Sequence, residues 1–191
     1  MPRKFSEHEK DNIRKKLITA CTDMWSKYGY KKTSVDELCQ QVSISKGAFY
    51  LFYESKEALF CEVLCSIQQD IYETATRIIS EQLNKSGVLE ALRYVYRQYD
   101  RSNFLIDSST ADYIMLTNKL TPEQLTRIQA VSEQNRMLFL TVPGLRLKTT
   151  EELASSIIYS MIMTVKQKDV LPNHIETFDF LAEHLIDDIY E

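Results

Sequence analysis

Apolar residues recur every three or four positions through most of the chain, and the gaps between these stripes carry helix-capping residues. The first stripe is Ile13, Leu17, Cys21, Met24 and Tyr28, with Trp25 alongside. Ser6 followed by Glu9 makes a reciprocal capping box at its start, and Gly29 predicts its end. A second box, Ser34 with Glu37, opens a short stripe of Val35, Leu38, Cys39 and Val42. Val42, Ser43 and Ile44 leave room only for a tight connection before Ser45, which can cap a third helix running from Lys46 through Leu51.

Ser55 then opens a much longer helix with Phe60, Val63, Leu64, Ile67, Ile71, Ala75 and Ile78 on its apolar side. Carried to about Leu83, it makes a rod of roughly 40 Å. Another helix is predicted near 88–101, bearing Leu89, Leu92, Tyr96 and Tyr99. Over 102–120 two readings stay open: a short helix containing Tyr113, Ile114 and Leu116, capped by Ser108, Ser109 or Thr110, or a loop. Thr121, Pro122 and Gln124 supply a cap, a proline at the first helical position and a box partner, and Pro143 with Gly144 closes that helix. Thr150 and Asn173 cap the last two helices. Their main stripes are Leu153, Ile157, Met161, Val165 and Phe178, Leu181, Leu185, Ile189, and Ile158, Ile162, Phe180 and Ile186 add a second apolar edge. That surplus fits a homodimer joined through the last two helices, and a tightly enclosed central helix would fit it too. The pattern as a whole predicts an all-α fold of about nine helices.

With 191 residues, 44% of them hydrophobic, the chain can bury real cores, and only 4 Gly and 4 Pro interrupt it. No apolar run is long enough to span a bilayer and the start is polar, which predicts a cytoplasmic protein. Cys21, Cys39, Cys61 and Cys65 all fall inside helical apolar patterns and read as reduced core thiols. Cys61 and Cys65 share a helix face without a completing His or carboxylate, and His174 and His184 share none, so no metal site is assigned. The net charge of −4 is unevenly divided. Residues 1–56 hold 11 Lys and Arg against 7 Asp and Glu, whereas the remainder holds 12 against 20. A basic head on an acidic body is what a protein needs if only its head meets a polyanion.

Three helices in the first 52 residues, with a tight turn between the second and third, can lay the third in the major groove of double-stranded DNA while the second crosses the backbone. Lys46 stands at the start of that third helix, Gly47 and Ala48 allow close approach, and the Tyr50 hydroxyl can reach a phosphate. Thr33 and Ser34, with the amides that open the second helix, form a second anion site. Catalysis is not indicated: the chain lacks an activated-nucleophile pattern, a phosphate loop and a pair of poised carboxylates.

The stretches Tyr28-Gly29-Tyr30, Thr33-Ser34-Val35, Val42 to Tyr50, and Ser55 to Leu59 together resemble the tetracycline-repressor (TetR) family of regulators. The resemblance covers about the first third of the chain. It implies a helix-turn-helix DNA-binding domain at 1–54 and a helical ligand-binding and dimerisation domain at 55–191. It also implies phosphate contacts from Thr33, Ser34, Tyr50 and Lys56, groove contacts from Ser45, Lys46, Gly47 and Ala48, and a palindromic operator. Two positions depart from the family pattern: Ala48 stands where Thr is common, leaving an apolar contact to a thymine methyl but no hydrogen bond, and Phe52 stands where His is frequent. For the C-terminal part the family implies a ligand pocket among the middle helices, as in a repressor released by a small-molecule effector, and activation or DNA binding without a ligand would leave the same marks in the sequence. Tyr72, Tyr96, Tyr99, Phe104, Tyr113 and Phe139 are the aromatic candidates for a pocket that takes a mostly apolar or aromatic ligand. No cofactor is implied.

Overall fold

A computed structural model of the chain describes residues 5–101 and 110–191. Those residues form nine α-helices: α1 (Glu7–Lys32), α2 (Val35–Val42), α3 (Lys46–Phe49), α4 (Lys56–Glu81), α5 (Lys85–Arg101), α6 (Ala111–Thr117), α7 (Pro122–Leu140), α8 (Glu151–Met163) and α9 (His174–Ile189). A 3-10 turn at Thr164–Gln167 extends α8, and the one extended pairing among the described residues is an isolated bridge between Leu147 and Tyr190. No helix among them is long and apolar enough to cross a membrane.

Most helix starts are set locally. Side-chain oxygens of Ser6, Ser34, Ser45, Thr110, Thr121 and Thr150 each accept from the amide three residues on, at 3.1–3.3 Å. Each bond satisfies a donor that the helix itself cannot, worth about 1 kcal/mol. Thr110 thereby resolves the ambiguous stretch in favour of a short helix, while Ser108 and Ser109 lie outside the described residues. Two expectations need correction. Asn173 stands before α9 but makes no capping hydrogen bond, because its backbone (φ −102°, ψ 37°) lacks the extended form that aims the side chain at the next turn. The fifth helix starts at Lys85 rather than near residue 88, with Asn84 accepting from the Gly87 amide at 3.1 Å. Gly87 is a packing residue there, since a Cβ on it would lie 2.0 Å from the Gln82 carbonyl oxygen.

By contact the chain forms two units whose division differs from the expected boundary after residue 54. The first unit holds α1, α2, α3, α4 as far as Ile67, α6, and α7 as far as Ile128. Its core is built from Leu17, Cys21 and Trp25 of α1, Leu38 of α2, Phe49 of α3 and Leu59, Phe60, Val63 and Leu64 of α4, all buried. Full burial of a side chain such as Leu17 or Phe49 contributes about 1.5–3 kcal/mol. Tyr28, the last position of the α1 stripe, is 58% exposed. Gly29 (φ 82°, ψ 166°) breaks the helix there, so that Tyr30 turns inward instead.

The second unit holds α4 from Gln68, α5, and the chain from Gln129 through α9. Val88, Leu92 and Tyr96 of α5 are buried along with Ala154 and Ile158 of α8 and Phe178, Ala182 and Ile186 of α9. Arg93 joins α5 to α9 by ion pairs with Asp179 at 3.0 Å and with Glu183, and it also holds Glu90 of its own helix. The C-terminal end is tied back by the buried Tyr190, whose hydroxyl donates to the Phe139 carbonyl, and by the Lys148 amide, which donates to the Ile189 carbonyl at 2.9 Å. Of the four residues expected to form a second apolar edge, Ile158, Ile162 and Ile186 are core within the chain, and only Phe180 is exposed. Leu153 and Tyr159 join it as the exposed large apolar side chains of α8 and α9.

Candidate nucleic-acid interface

The connection between α2 and α3 turns on one backbone conformation. Ser43 adopts φ 61°, ψ 44°, the left-handed region, and its amide closes onto the Cys39 and Gln40 carbonyls. The Ile44 amide bonds to the Cys39 carbonyl at 3.0 Å, which lets the chain reverse in two residues before Ser45 caps α3. Phe49 anchors the short helix from beneath, fully buried and flanked by the Tyr50 and Tyr53 rings. The opposite side is open: Ser45, Lys46, Gly47 and Tyr50 are exposed and Ala48 is half-buried.

Gly47 is informative because the protein does not need it. A Cβ built there meets nothing closer than the Ser45 hydroxyl at 4.0 Å. Glycine in a helix costs about 0.5–1 kcal/mol relative to alanine, so a glycine that no neighbour requires fits a surface that must admit an external partner closely. Lys46 reaches across to α2, its ammonium 3.0 Å from Asp36. That hydrogen bond raises the Lys46 pKa and keeps the charge fixed in sign. Lys31 and Lys32, which close α1 just before α2, add two exposed cations that lie outside the apolar stripes.

The other residues expected to touch phosphate have partners within the chain. Thr33 is fully buried and its hydroxyl donates to the Gly29 carbonyl at 2.9 Å. The Ser34 hydroxyl lies 2.7 Å from the Glu37 carboxylate, within the capping box. Lys56 is half-buried, with its ammonium 2.5 Å from the Tyr30 carbonyl oxygen and 4.1 Å from the centre of the Tyr30 ring. Burial lowers its pKa. These three side chains stabilise the passage from α1 to α2, while Ser45, Lys46, Gly47 and Tyr50 are the exposed members of the expected set and Ala48 is half-buried.

Around that passage lies a polar cluster that no local pattern announced. Asp112 of α6 accepts from the Trp25 indole and from the Tyr30 amide, both at 2.6 Å and through the same carboxylate oxygen. The Tyr30 hydroxyl donates to Glu57, and burial together with that bond raises the phenol's pKa. The buried Tyr30 and Trp25 rings both pack on Phe60.

The aromatic residues proposed for an effector pocket are dispersed. Tyr96 is core: its ring stacks on Phe178 at 4.0 Å and its hydroxyl donates to the His174 carbonyl. Phe139 is buried, Tyr72 and Tyr99 are half-buried, and all four belong to the second unit, whereas the half-buried Tyr113 belongs to the first. Phe104 lies outside the described residues. Within the first unit a cleft of about 440 Å³ is lined by Arg14, Ile18, Tyr53, Cys61 and Arg127 among others, and none of the five expected aromatics among the described residues borders it.

Comparison with known proteins places these features. Residues 17–63 match the family described as "Bacterial regulatory proteins, tetR family". An HTH-type transcriptional regulator of Bacillus subtilis, YhgD, is 32% identical over 71 residues, covering 37% of each chain. The HTH-type transcriptional repressor KstR2 of Rhodococcus jostii is 25% identical over 83 residues, covering 44% of this chain and 41% of that one. The chain thus spans well under half the length of these curated relatives. Across nearly its whole length it shares a fold with the transcriptional regulator FadR from Bacillus subtilis, solved in complex with stearoyl-CoA, at a TM-score of 0.64 and 16% identity, covering 92% of this chain and 98% of that one.

Proposed function

We propose that this chain, a member of the tetR family of bacterial regulatory proteins, binds DNA sequence-specifically and represses transcription until a small ligand releases it. The observation that carries the reading is the open face of α3, where the left-handed Ser43 turn presents Lys46, a glycine without internal purpose, and Tyr50. Ser45, Lys46, Gly47 and Ala48 meet base edges or the groove wall, and Tyr50 donates to a phosphate. Two copies joined through α8 and α9, with Leu153, Tyr159 and Phe180 at the contact, place their α3 helices in successive major grooves of a palindromic operator. Repression is supported by the repressor KstR2 among the relatives, and a small ligand by the stearoyl-CoA bound to FadR, which favours a mostly apolar effector.

The test is binding to a duplex selected by the protein from a random pool, titrated with salt. Affinity should fall steeply as salt rises, because phosphate contacts release counterions. Lys46→Ala should weaken binding, lower the salt slope by about 1 and alter base preference, while Tyr50→Ala should weaken all sequences alike. Selection of no duplex, or unchanged binding by both variants, would overturn the reading.

A further inference from the structure

The break at Gly29 creates a problem that α6 solves. With Gly29 at φ 82° and ψ 166°, the Tyr30 amide no longer points at a carbonyl one turn back, although the Tyr30 side chain is buried. A donor left without a partner in such a place is costly. Asp112, 82 positions further along the chain, supplies the acceptor, and the same oxygen holds the indole of Trp25 one turn before the break. Its other carboxylate oxygen fills the space that a side chain on Gly29 would take, since a Cβ there would lie 3.2 Å from it.

From the opposite side α4 holds the same residue. Lys56 donates to the Tyr30 carbonyl and Glu57 accepts from the Tyr30 hydroxyl. Thr33 then closes the turn, its amide and hydroxyl both donating to the Gly29 carbonyl at 3.2 and 2.9 Å. The next residue is Ser34, the cap of α2. The direction in which α2 leaves α1, and the placement of α3 after it, are therefore fixed by how Tyr30 is gripped.

We infer that Asp112 is a positioning residue for DNA binding, a clamp from α6 that holds the Gly29–Tyr30 break and so sets the stance of the α2–α3 reading head. It touches no DNA and acts through Trp25 and Tyr30. The inference rests on the DNA-binding reading above. The carboxylate's charge strengthens both bonds, because an ionised acceptor holds an N–H more strongly than a neutral amide oxygen would.

The parent, Asp112→Ala and Asp112→Asn are compared on the selected duplex across a salt series, together with amide hydrogen exchange measured without DNA. Asp112→Ala is expected to keep its helical circular dichroism and to bind roughly tenfold more weakly, within the range that couplings between distinct sites span. Its salt slope should equal the parent's, because no phosphate contact is lost. Amides 30–34 should exchange faster, and Asp112→Asn, which keeps an acceptor, should fall between parent and Ala on both measures. The emission of Trp25, the chain's single tryptophan, should change with the loss of its carboxylate partner. A folded Asp112→Ala that binds like the parent, or that loses affinity and salt slope together, overturns the inference. If Asp112→Ala does not fold, parent-like exchange at 30–34 in Asp112→Asn overturns it. A parent that selects no duplex sinks the DNA-binding reading instead, and the exchange data then still decide whether the clamp exists.

Discussion

The two units hold themselves together by the same means yet leave different things exposed. In the second unit, polar side chains close inward: Arg93 gathers three carboxylates, Tyr190 and Tyr96 donate to backbone carbonyls, and Gly87 is needed because another backbone presses against it. In the first unit, polar groups divide into an inward cluster around Tyr30 and an outward row on α3, and the glycines divide with them. Gly29 is needed for its backbone and for Asp112, while Gly47 is needed by nothing within the chain. A residue whose cost has no internal reason points to a partner, and this contrast separates a binding face from a merely exposed one.

Matched glycine substitutions test the contrast most severely. Gly29→Ala puts a side chain where φ is +82°, and Gly87→Ala drives one into the Gln82 carbonyl. Each should destabilise by about 2–3 kcal/mol, lowering the melting temperature by roughly 5–10 °C. At a temperature where both remain folded, only Gly29→Ala should also weaken duplex binding, as the break it distorts leads into α2. Equal loss of DNA affinity in both would erase the distinction between the units. Gly47→Ala should act in the opposite sense, stabilising the fold by up to about 1 kcal/mol while weakening binding to the selected duplex. If the fold gained nothing, or the duplex bound as before, Gly47 would be an ordinary surface residue.

The smallest effect expected is at Asp36. Its carboxylate holds Lys46 and places a negative charge on the face proposed to meet phosphate. Asp36→Asn should therefore tighten binding to any duplex by about two- to fivefold, the scale of an exposed ion pair, and the gain should vanish at high salt. A weaker complex would mean that Asp36 orders Lys46 for its contact rather than restraining it.

How much of this was legible from the chain follows from the reach of each interaction. Ser6, Ser34, Ser45, Thr121 and Thr150 bond three residues away, so their caps, and the helix starts they define, are written in adjacent letters. The turn at Ser43 and the exposure of Lys46 follow from the same short-range pattern. Asn173 failed as a cap because identity at the right spacing does not secure the backbone angle a cap requires. Thr33 donates to the Gly29 carbonyl four residues back, a bond set by the local break, whereas the contact of Lys56 with the Tyr30 carbonyl spans 26 positions and is made only by folding.

The amino-acid order by itself determined eight helical segments, most of their starts and a cationic third helix, and left 102–120 open, because periodicity and capping operate within a turn or two of the backbone. Only the tertiary structure decided which side chains remained available. Asp112 meets Trp25 and Tyr30 across more than 80 residues, Arg93 meets Asp179 across 86, and Ile158, Ile162 and Ile186 turn into the core while Phe180 stays outside. Partnerships over that distance depend on how helices pack, and an apolar stripe records that a face is covered without recording what covers it.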